Sequence, residues 1–213
     1  MNPIAAICCA YLLGSIPSSA IAGRLAGVDL RRHGSGNLGF TNVLRVLGAR
    51  AAAPVLIVDA GKGVAAVLIA RHAGSPGWPL GPETTALLAG LAAIAGHIWS
   101  VFARFRGGKG VATAAGVFGA LAPLAACVSI AVWLAVVLTT RYVSLASIAA
   151  AVLLPIAIAV SRAATGAPQA VPLLVASIVI AALVVVTHRA NIGRLMNGTE
   201  NRFGSGRGLK EDA

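Results

Sequence analysis

The chain carries little charge and almost no acid: 11% of its 213 residues are charged, with 6 Asp and Glu against 17 Lys and Arg. So few ionic side chains cannot cover a soluble globule that is 58% hydrophobic, and a mean hydropathy of +0.87 points to a polytopic membrane protein. The shortage of acids also argues against a metal. Asp29, Asp59, Glu83 and Glu200 are scattered, and His33, His72 and His97 have no clustered carboxylate or thiol nearby in the sequence. Cysteine is scarce too: Cys8, Cys9 and Cys127 lie within apolar runs, without the spacing of a disulfide framework, and read as packing residues. Aromatic residues make up only 5%, and the basic residues fall between apolar runs rather than among stacking rings, which excludes nucleic acid despite a net charge of +11. No Lys or Arg precedes the first apolar run, so the basic opening of a cleavable signal peptide is missing and that run reads as a span.

What is present is a series of apolar stretches, at about residues 3–23, 51–71, 83–102, 110–122, 124–140, 143–161 and 170–188, most of them near the roughly 20 residues a crossing helix needs. The stretch from Val111 to Thr139 carries no charge. As one helix, at about 1.5 Å per residue, it would exceed about 40 Å against a hydrocarbon core of about 30 Å. Two shorter helices turning near Ala122-Pro123 are preferred, which predicts an all-α integral membrane protein of about seven spans. An odd count puts the termini on opposite faces and gathers most basic residues on one: Arg24, Arg31, Arg32, Arg45, Arg50, Arg104, Arg106, Lys109, Arg141, Arg189 and Arg194. The positive-inside rule makes that face cytoplasmic, with the N-terminus outside and the C-terminus inside. Residues 1–198 read as one membrane domain and 199–213, glycine-rich and charged, as a mobile cytoplasmic tail.

Polar, glycine-punctuated segments interrupt the oily sequence on that face. In Arg32-His33-Gly34-Ser35-Gly36-Asn37-Leu38-Gly39-Phe40-Thr41-Asn42-Val43-Leu44-Arg45, the glycines allow sharp turns and close backbone approach. Ser35, Asn37, Thr41 and Asn42 offer short neutral hydrogen-bonding groups, and Arg45 a fixed charge, a combination suited to a phosphate ester. Such a loop serves equally as an interfacial connection between spans. A second segment, Phe105-Arg106-Gly107-Gly108-Lys109-Gly110, leads into an apolar helix and resembles a phosphate cradle, with amides turned inward and Lys109 as a point charge. It is not a Walker loop, because Gly110 rather than Ser or Thr follows Lys109, so ATP is not expected. A basic cytoplasmic loop accounts for Arg104 and Arg106 but does not need these glycines. In the third segment, His188-Arg189-Ala190-Asn191-Ile192-Gly193-Arg194, His188 and Asn191 are spaced for one helix face and could orient a polyol. Arg189 reads as a headgroup or packing residue, and Arg194 as a contact either to phosphate or to headgroups. Ser144, in Thr140-Arg141-Tyr142-Val143-Ser144, is a fainter candidate on the same face. Asp59 and Lys62, three residues apart within an apolar run, read as a structural pair that neutralises itself and braces the site from behind.

Taken in order, these segments resemble the bacterial membrane glycerol-3-phosphate acyltransferases that use acyl phosphate as donor, the PlsY family. The resemblance covers nearly the whole chain. It runs through Gly14-Ser15-Ile16-Pro17, Gly34-Ser35-Gly36-Asn37 with Thr41-Asn42 and Arg45, Asp59-Ala60-Gly61-Lys62-Gly63, Gly96-His97, Gly107-Gly108-Lys109-Gly110-Val111-Ala112, Arg141-Tyr142-Val143-Ser144 and His188-Arg189 with Asn191-Ile192. It implies a cofactor-free enzyme of the inner membrane. That enzyme would move a fatty acyl group from acyl phosphate to the 1-hydroxyl of glycerol 3-phosphate, giving lysophosphatidic acid and inorganic phosphate, in the first acylation of phospholipid synthesis. It further implies catalytic roles for Ser35, Lys109, His188 and Asn191. Arg45, Thr41, Asn42, Gly36, Asn37, Gly107, Gly108, Gly110 and Ser144 would bind substrate and phosphate. Functional coupling to the enzyme that makes acyl phosphate follows as an expectation. Acyl phosphate is already activated, so positioning the alcohol and stabilising the developing charge carry most of the chemistry. No histidine has an Asp five residues later, which leaves His188 or, preferably, a substrate phosphate oxygen to take the alcohol proton.

The rival readings are weaker. A transporter of an anionic metabolite would also be polytopic and basic at one face, but it generally places its site near mid-membrane between paired repeats. A phosphatidyl-alcohol transferase or lipid phosphatase needs clustered Asp residues or a phosphate-accepting histidine motif, and neither spacing occurs. A purely structural membrane protein has no use for Gly, Asn, Ser and Lys concentrated on one side.

Overall fold

The computed structural model describes residues 2–73, 78–165 and 170–204. Among them are ten α-helices and no strand: α1 (Pro3–Gly14), α2 (Ser18–Leu25), α3 (Phe40–Leu47), α4 (Ala49–Arg71), α5 (Pro82–Ile98), α6 (Val111–Leu121), α7 (Pro123–Thr140), α8 (Val143–Thr165), α9 (Ala170–Thr187) and α10 (Arg189–Met196). Proline sets several of the starts. Pro3, Pro82 and Pro123 occupy the first helical turn, where a missing N–H costs nothing, and Asn2 Oδ1 accepts the amide of Ile4 at 2.8 Å.

Five stretches are long and apolar enough to cross a membrane: Pro3–Leu25, Ala49–Arg71, Pro82–Ala103, Pro123–Thr140 and Val143–Ala164. Val171–Thr187 with Arg189–Met196, bent by 58° at His188, makes a sixth if the pair is counted as one span. The break expected near Ala122-Pro123 is present: Ala122 leaves helical geometry at φ −144°, ψ 67°, and Pro123 opens α7. The fourth expected span is shorter than a crossing helix. Its 11 residues in α6 cover about 17 Å at about 1.5 Å per residue, little more than half of the about 30 Å core.

The helices fall into two compact units, within residues 2–117 and 118–204 of the described chain. In the first, α1 packs closely on α5 because both present glycine at the crossing. A Cβ on Gly14 would lie 2.1 Å from the Ala93 carbonyl oxygen, and one on Gly96 would lie 2.2 Å from that of Tyr11. Without a hydrophobic force between helices in lipid, such close backbone contact supplies the packing energy. An apolar cluster of Leu30, Leu38, Val43, Ala52, Val55 and Ala103 seats the loop between α2 and α3 on the start of α4. In the second unit, α7, α8 and α9 pack in sequence and α10 returns to α8 and α9. The turn between α7 and α8 places Arg141 in the left-handed region at φ 62°, and its amide donates to Val137 O at 2.8 Å, closing α7.

Candidate active site

In the first unit the Ser35 loop and the Lys109 loop meet. Gly108 lies against the Leu38 carbonyl, so close that a Cβ there would sit 2.9 Å from its oxygen, and Arg31 Nη2 donates to Ala103 O at 2.9 Å. Asn42 organises the first loop from within. It is buried at 1% exposure; its Oδ1 accepts the amide of Ser35 at 2.8 Å, and its Nδ2 donates to Leu30 O at 3.0 Å and His33 O at 3.1 Å. Gly34, at φ 63°, leaves room for it, since a Cβ would fall 2.2 Å from Asn42 Oδ1. Asn42 was expected on phosphate. Both of its amide hydrogens are instead spent on backbone carbonyls, so it shapes the loop and presents no donor to a ligand.

The glycine amides are corrected in the same way. Helix α5 ends with unsatisfied carbonyls, and the following loop folds back to cap them: Gly107 N donates to Ile98 O at 2.9 Å and Gly108 N to His97 O at 3.1 Å. Gly36 N donates to His33 O at 3.1 Å within a turn. These amides, expected around a phosphate, are committed to the fold. The glycines are there for proximity: a Cβ on Gly107 would lie 1.9 Å from His97 O, and one on Gly108 would lie 2.2 Å from His97 Nε2. Gly110, at φ 83°, has its carbonyl taken by Ala114 N at 2.8 Å as α6 begins. The side chains of this unit that remain candidates for an anion are exposed Ser35 and half-buried Asn37, Thr41, Arg45 and Lys109. Arg31, Arg32, Arg104 and Arg106, also exposed, add a positive field that favours anionic substrates.

Behind this loop pair stands a cluster that sequence reasoning resolved only in part. Asp59 and Lys62 of α4 do pair, at 2.9 Å, with side chains 1% and 3% exposed. The expectation that His97 lacks a carboxylate partner is overturned, because helix packing brings its Nδ1 to 3.4 Å from Asp59 Oδ1. Spacing could not signal a pair whose members sit on different helices.

In the second unit, His188 is at the bend between α9 and α10 and is 3% exposed. Its Nδ1 lies 2.8 Å from Val184 O, which can only accept, so the proton of the neutral ring belongs on Nδ1 and Nε2 is the acceptor. Ser144 and Asn191 are brought together by Glu200, a residue the sequence reading left out of the site. Glu200 Oε1 accepts from Ser144 Oγ at 2.9 Å and Asn191 Nδ2 at 2.7 Å, and Oε2 accepts from Arg194 Nε at 2.7 Å. Burial pushes this carboxyl up, but the hydrogen bonds from Asn191, Arg194 and Ser144 and the Arg194 charge outweigh it and hold the pKa below the ordinary value. A solitary acid in so basic a segment was the available signal. Arg194, left open between phosphate and headgroups, pairs with Glu200. Further tethers run from Arg202 Nε to Tyr142 Oη at 3.1 Å and from Phe203 N to Arg141 O at 2.6 Å. The first residues of the expected tail are thus tied to the α7–α8 turn, and residues 205–213 lie outside the described residues. This unit offers a ring-nitrogen acceptor, an oriented amide and a hydroxyl, groups suited to a polyol. No group of three or more His, Cys, Asp or Glu able to hold a metal occurs among the described residues.

Residues 4–198 match the family described as glycerol-3-phosphate acyltransferase. Among curated relatives, the glycerol-3-phosphate acyltransferase of Geotalea daltonii is 47% identical over 194 residues, covering 91% of this chain and 94% of that protein. That of Geobacter sulfurreducens is 45% identical over 204 residues, covering 95% and 98%. The solved structure of PlsY (YgiH), an integral membrane glycerol 3-phosphate acyltransferase, in its glycerol 3-phosphate form superposes with a TM-score of 0.85 at 42% identity, covering 95% of this chain and 96% of that one. Its lysophosphatidic acid form gives a TM-score of 0.80 at 41% identity, with the same coverage.

Proposed function

The chain belongs to the glycerol-3-phosphate acyltransferase family and is a multi-pass membrane acyltransferase, and from that premise we propose that it acylates the 1-hydroxyl of glycerol 3-phosphate with acyl phosphate as donor. The observation that carries this reading is the likeness, over 95% of the chain, to a structure in a glycerol 3-phosphate form. The side chains agree with it: Arg45 and Lys109 supply charge for phosphate oxygens, Ser35 and Thr41 supply hydroxyls, and Asn37 an amide. His188 and Asn191 suit the glycerol hydroxyls, and Ser144 acts with them through Glu200.

In the proposed step, the C1 oxygen of glycerol 3-phosphate attacks the acyl carbonyl, forming the ester bond. The bond from that carbon to the bridging oxygen breaks, and its electron pair leaves on phosphate. The hydroxyl proton passes to a phosphate oxygen, giving lysophosphatidic acid and inorganic phosphate. Lys109 and Arg45 stabilise the charge that grows on the leaving phosphate. Asn42, Gly36, Gly107, Gly108 and Gly110 contribute by shaping the two loops.

Counting the short α6 and the bent α9–α10 pair as one crossing each restores seven, which assigns the basic loops to the cytoplasmic face of the inner membrane, with the N-terminus outside and the C-terminus inside. The acylating domain is residues 1–198, with the tail beyond it, and coupling to an acyl-phosphate-producing enzyme would deliver the insoluble donor at this face. The test is phosphate release by the purified protein in detergent, given palmitoyl phosphate with and without glycerol 3-phosphate. Release that needs both substrates, with lysophosphatidic acid among the products, is the expected result. Acyl transfer from a thioester donor but not from palmitoyl phosphate would overturn the donor assignment.

A further inference from the structure

The buried cluster behind the Lys109 loop is larger than charge neutralisation requires. Asp59 and Lys62 could cancel one another within α4, and a pair so deeply buried still costs desolvation. Yet Asp59 Oδ1 also accepts from Ser18 Oγ, at the start of α2, at 2.7 Å and faces His97 Nδ1, at the end of α5, at 3.4 Å. Lys62 Nζ donates onward to Ile16 O at 3.1 Å, where the backbone breaks between α1 and α2. Three helices and one helix break are therefore fixed to a single carboxylate.

Of these tethers, His97 leads directly to the loop. Its carbonyl accepts Gly108 N, the neighbouring Ile98 carbonyl accepts Gly107 N, and its ring lies where a Gly108 Cβ would fall. A small cavity of about 10 Å³, lined by Leu38, Asp59, His97, Ser100, Gly107 and Gly108 among others, lies between the cluster and the loop. Lys109 is the next residue.

We propose that Asp59 and His97 are positioning residues for Lys109: the carboxylate fixes the imidazole, and the imidazole and the end of α5 fix the Gly107-Gly108 backbone from which Lys109 reaches phosphate. The inference rests on the assignment of Lys109 to phosphate made above. It separates two functions of one cluster, since Lys62 neutralises Asp59 while His97 transmits its position. An amide nitrogen placed where Nδ1 stands would preserve the tether, whereas a ring without nitrogen would not.

The experiment compares His97→Phe, His97→Asn and Lys109→Ala in the full-length protein, using palmitoyl phosphate and glycerol 3-phosphate as substrates. Deuterium uptake by the peptide covering Phe105–Gly110 is measured alongside. His97→Phe is expected to lower kcat by about 10- to 100-fold, the range that a misplacement of about 1 Å imposes, and to raise uptake in that peptide. His97→Asn, whose side-chain nitrogen superposes on Nδ1, is expected to recover most of both losses. Where His97→Phe does not fold, His97→Gln takes its place with the same expectation, because its amide lies one bond beyond the Nδ1 position. Wild-type turnover in His97→Phe or His97→Gln, or an equal loss in His97→Asn with unchanged loop uptake, overturns the proposal. Lys109→Ala distinguishes the two levels: activity retained there removes Lys109 from the site, whereas activity lost there but kept in the His97 variants defeats the positioning role alone.

Discussion

Removing the Glu200 carboxylate should loosen the second unit by an amount that its surroundings set. Glu200→Ala leaves three donors without their acceptor: Ser144 at 6% exposure, Asn191 at 8%, and Arg194, whose side chain is 37% exposed. Hydrogen bonds to a charged group contribute about 1.5–3 kcal/mol each, but Arg194 can return to water and recover most of its share. The loss should therefore come mainly from Ser144 and Asn191, at about 2–4 kcal/mol after relaxation. At about 2–4 °C per kcal/mol for a chain of this size, the unfolding midpoint in detergent should fall by about 5–15 °C. Glu200→Gln keeps a carbonyl oxygen for Asn191 and Ser144 and loses chiefly the exposed ion pair, so its cost should be about 0.5–1.5 kcal/mol. A circular-dichroism melt of both variants decides the matter. A midpoint for Glu200→Ala within about 1 °C of wild type, or equal losses in the two variants, would refute the reading that this carboxylate ties α8, α10 and residues 199–204 together.

Acid should expose the same carboxylate. Because its pKa in the folded protein lies below the ordinary value of 4.5, its contribution is fully present above that value and is lost as pH falls through the depressed one, so the wild-type melting curve should fall more steeply there than that of Glu200→Gln. Gly107→Ala must displace a backbone carbonyl that would stand 1.9 Å from the new Cβ; turnover should drop by about 100-fold, and a drop of less than threefold would contradict the close seating of the loop on α5. Asn42→Asp turns a double donor into an acceptor facing Leu30 O and His33 O, so it should destabilise by about 2–4 kcal/mol, read by the same melts, whereas an Asn42 that served only to bind phosphate would leave stability unchanged. Lys109→Ala and Arg45→Ala should each abolish turnover while leaving expression and insertion intact; normal turnover in either removes that residue from the site.

The sequence by itself determined the membrane class, the break at Ala122-Pro123 and the order of the polar segments, but not the break between α1 and α2 inside the first expected span. These are local properties: a run of apolar residues, a proline at a helix start or a glycine-rich stretch between spans carries its meaning without knowledge of any partner. The resemblance that implied the activity came from the same local segments read in order. The tertiary structure decided what those segments' groups are used for. The amides of Gly107 and Gly108 looked available because sequence does not reveal that α5 ends beside them with carbonyls to be satisfied. Asn42 looked like a ligand because its acceptors, Leu30 O and His33 O, belong to a loop whose path was unknown. Asp59 meets His97, and Ser144 meets Glu200, across separations that only helix packing closes. Buried polar groups take whichever partner the fold brings within about 3 Å, so their roles are fixed by packing, whereas the tendency to bury a span is fixed by composition.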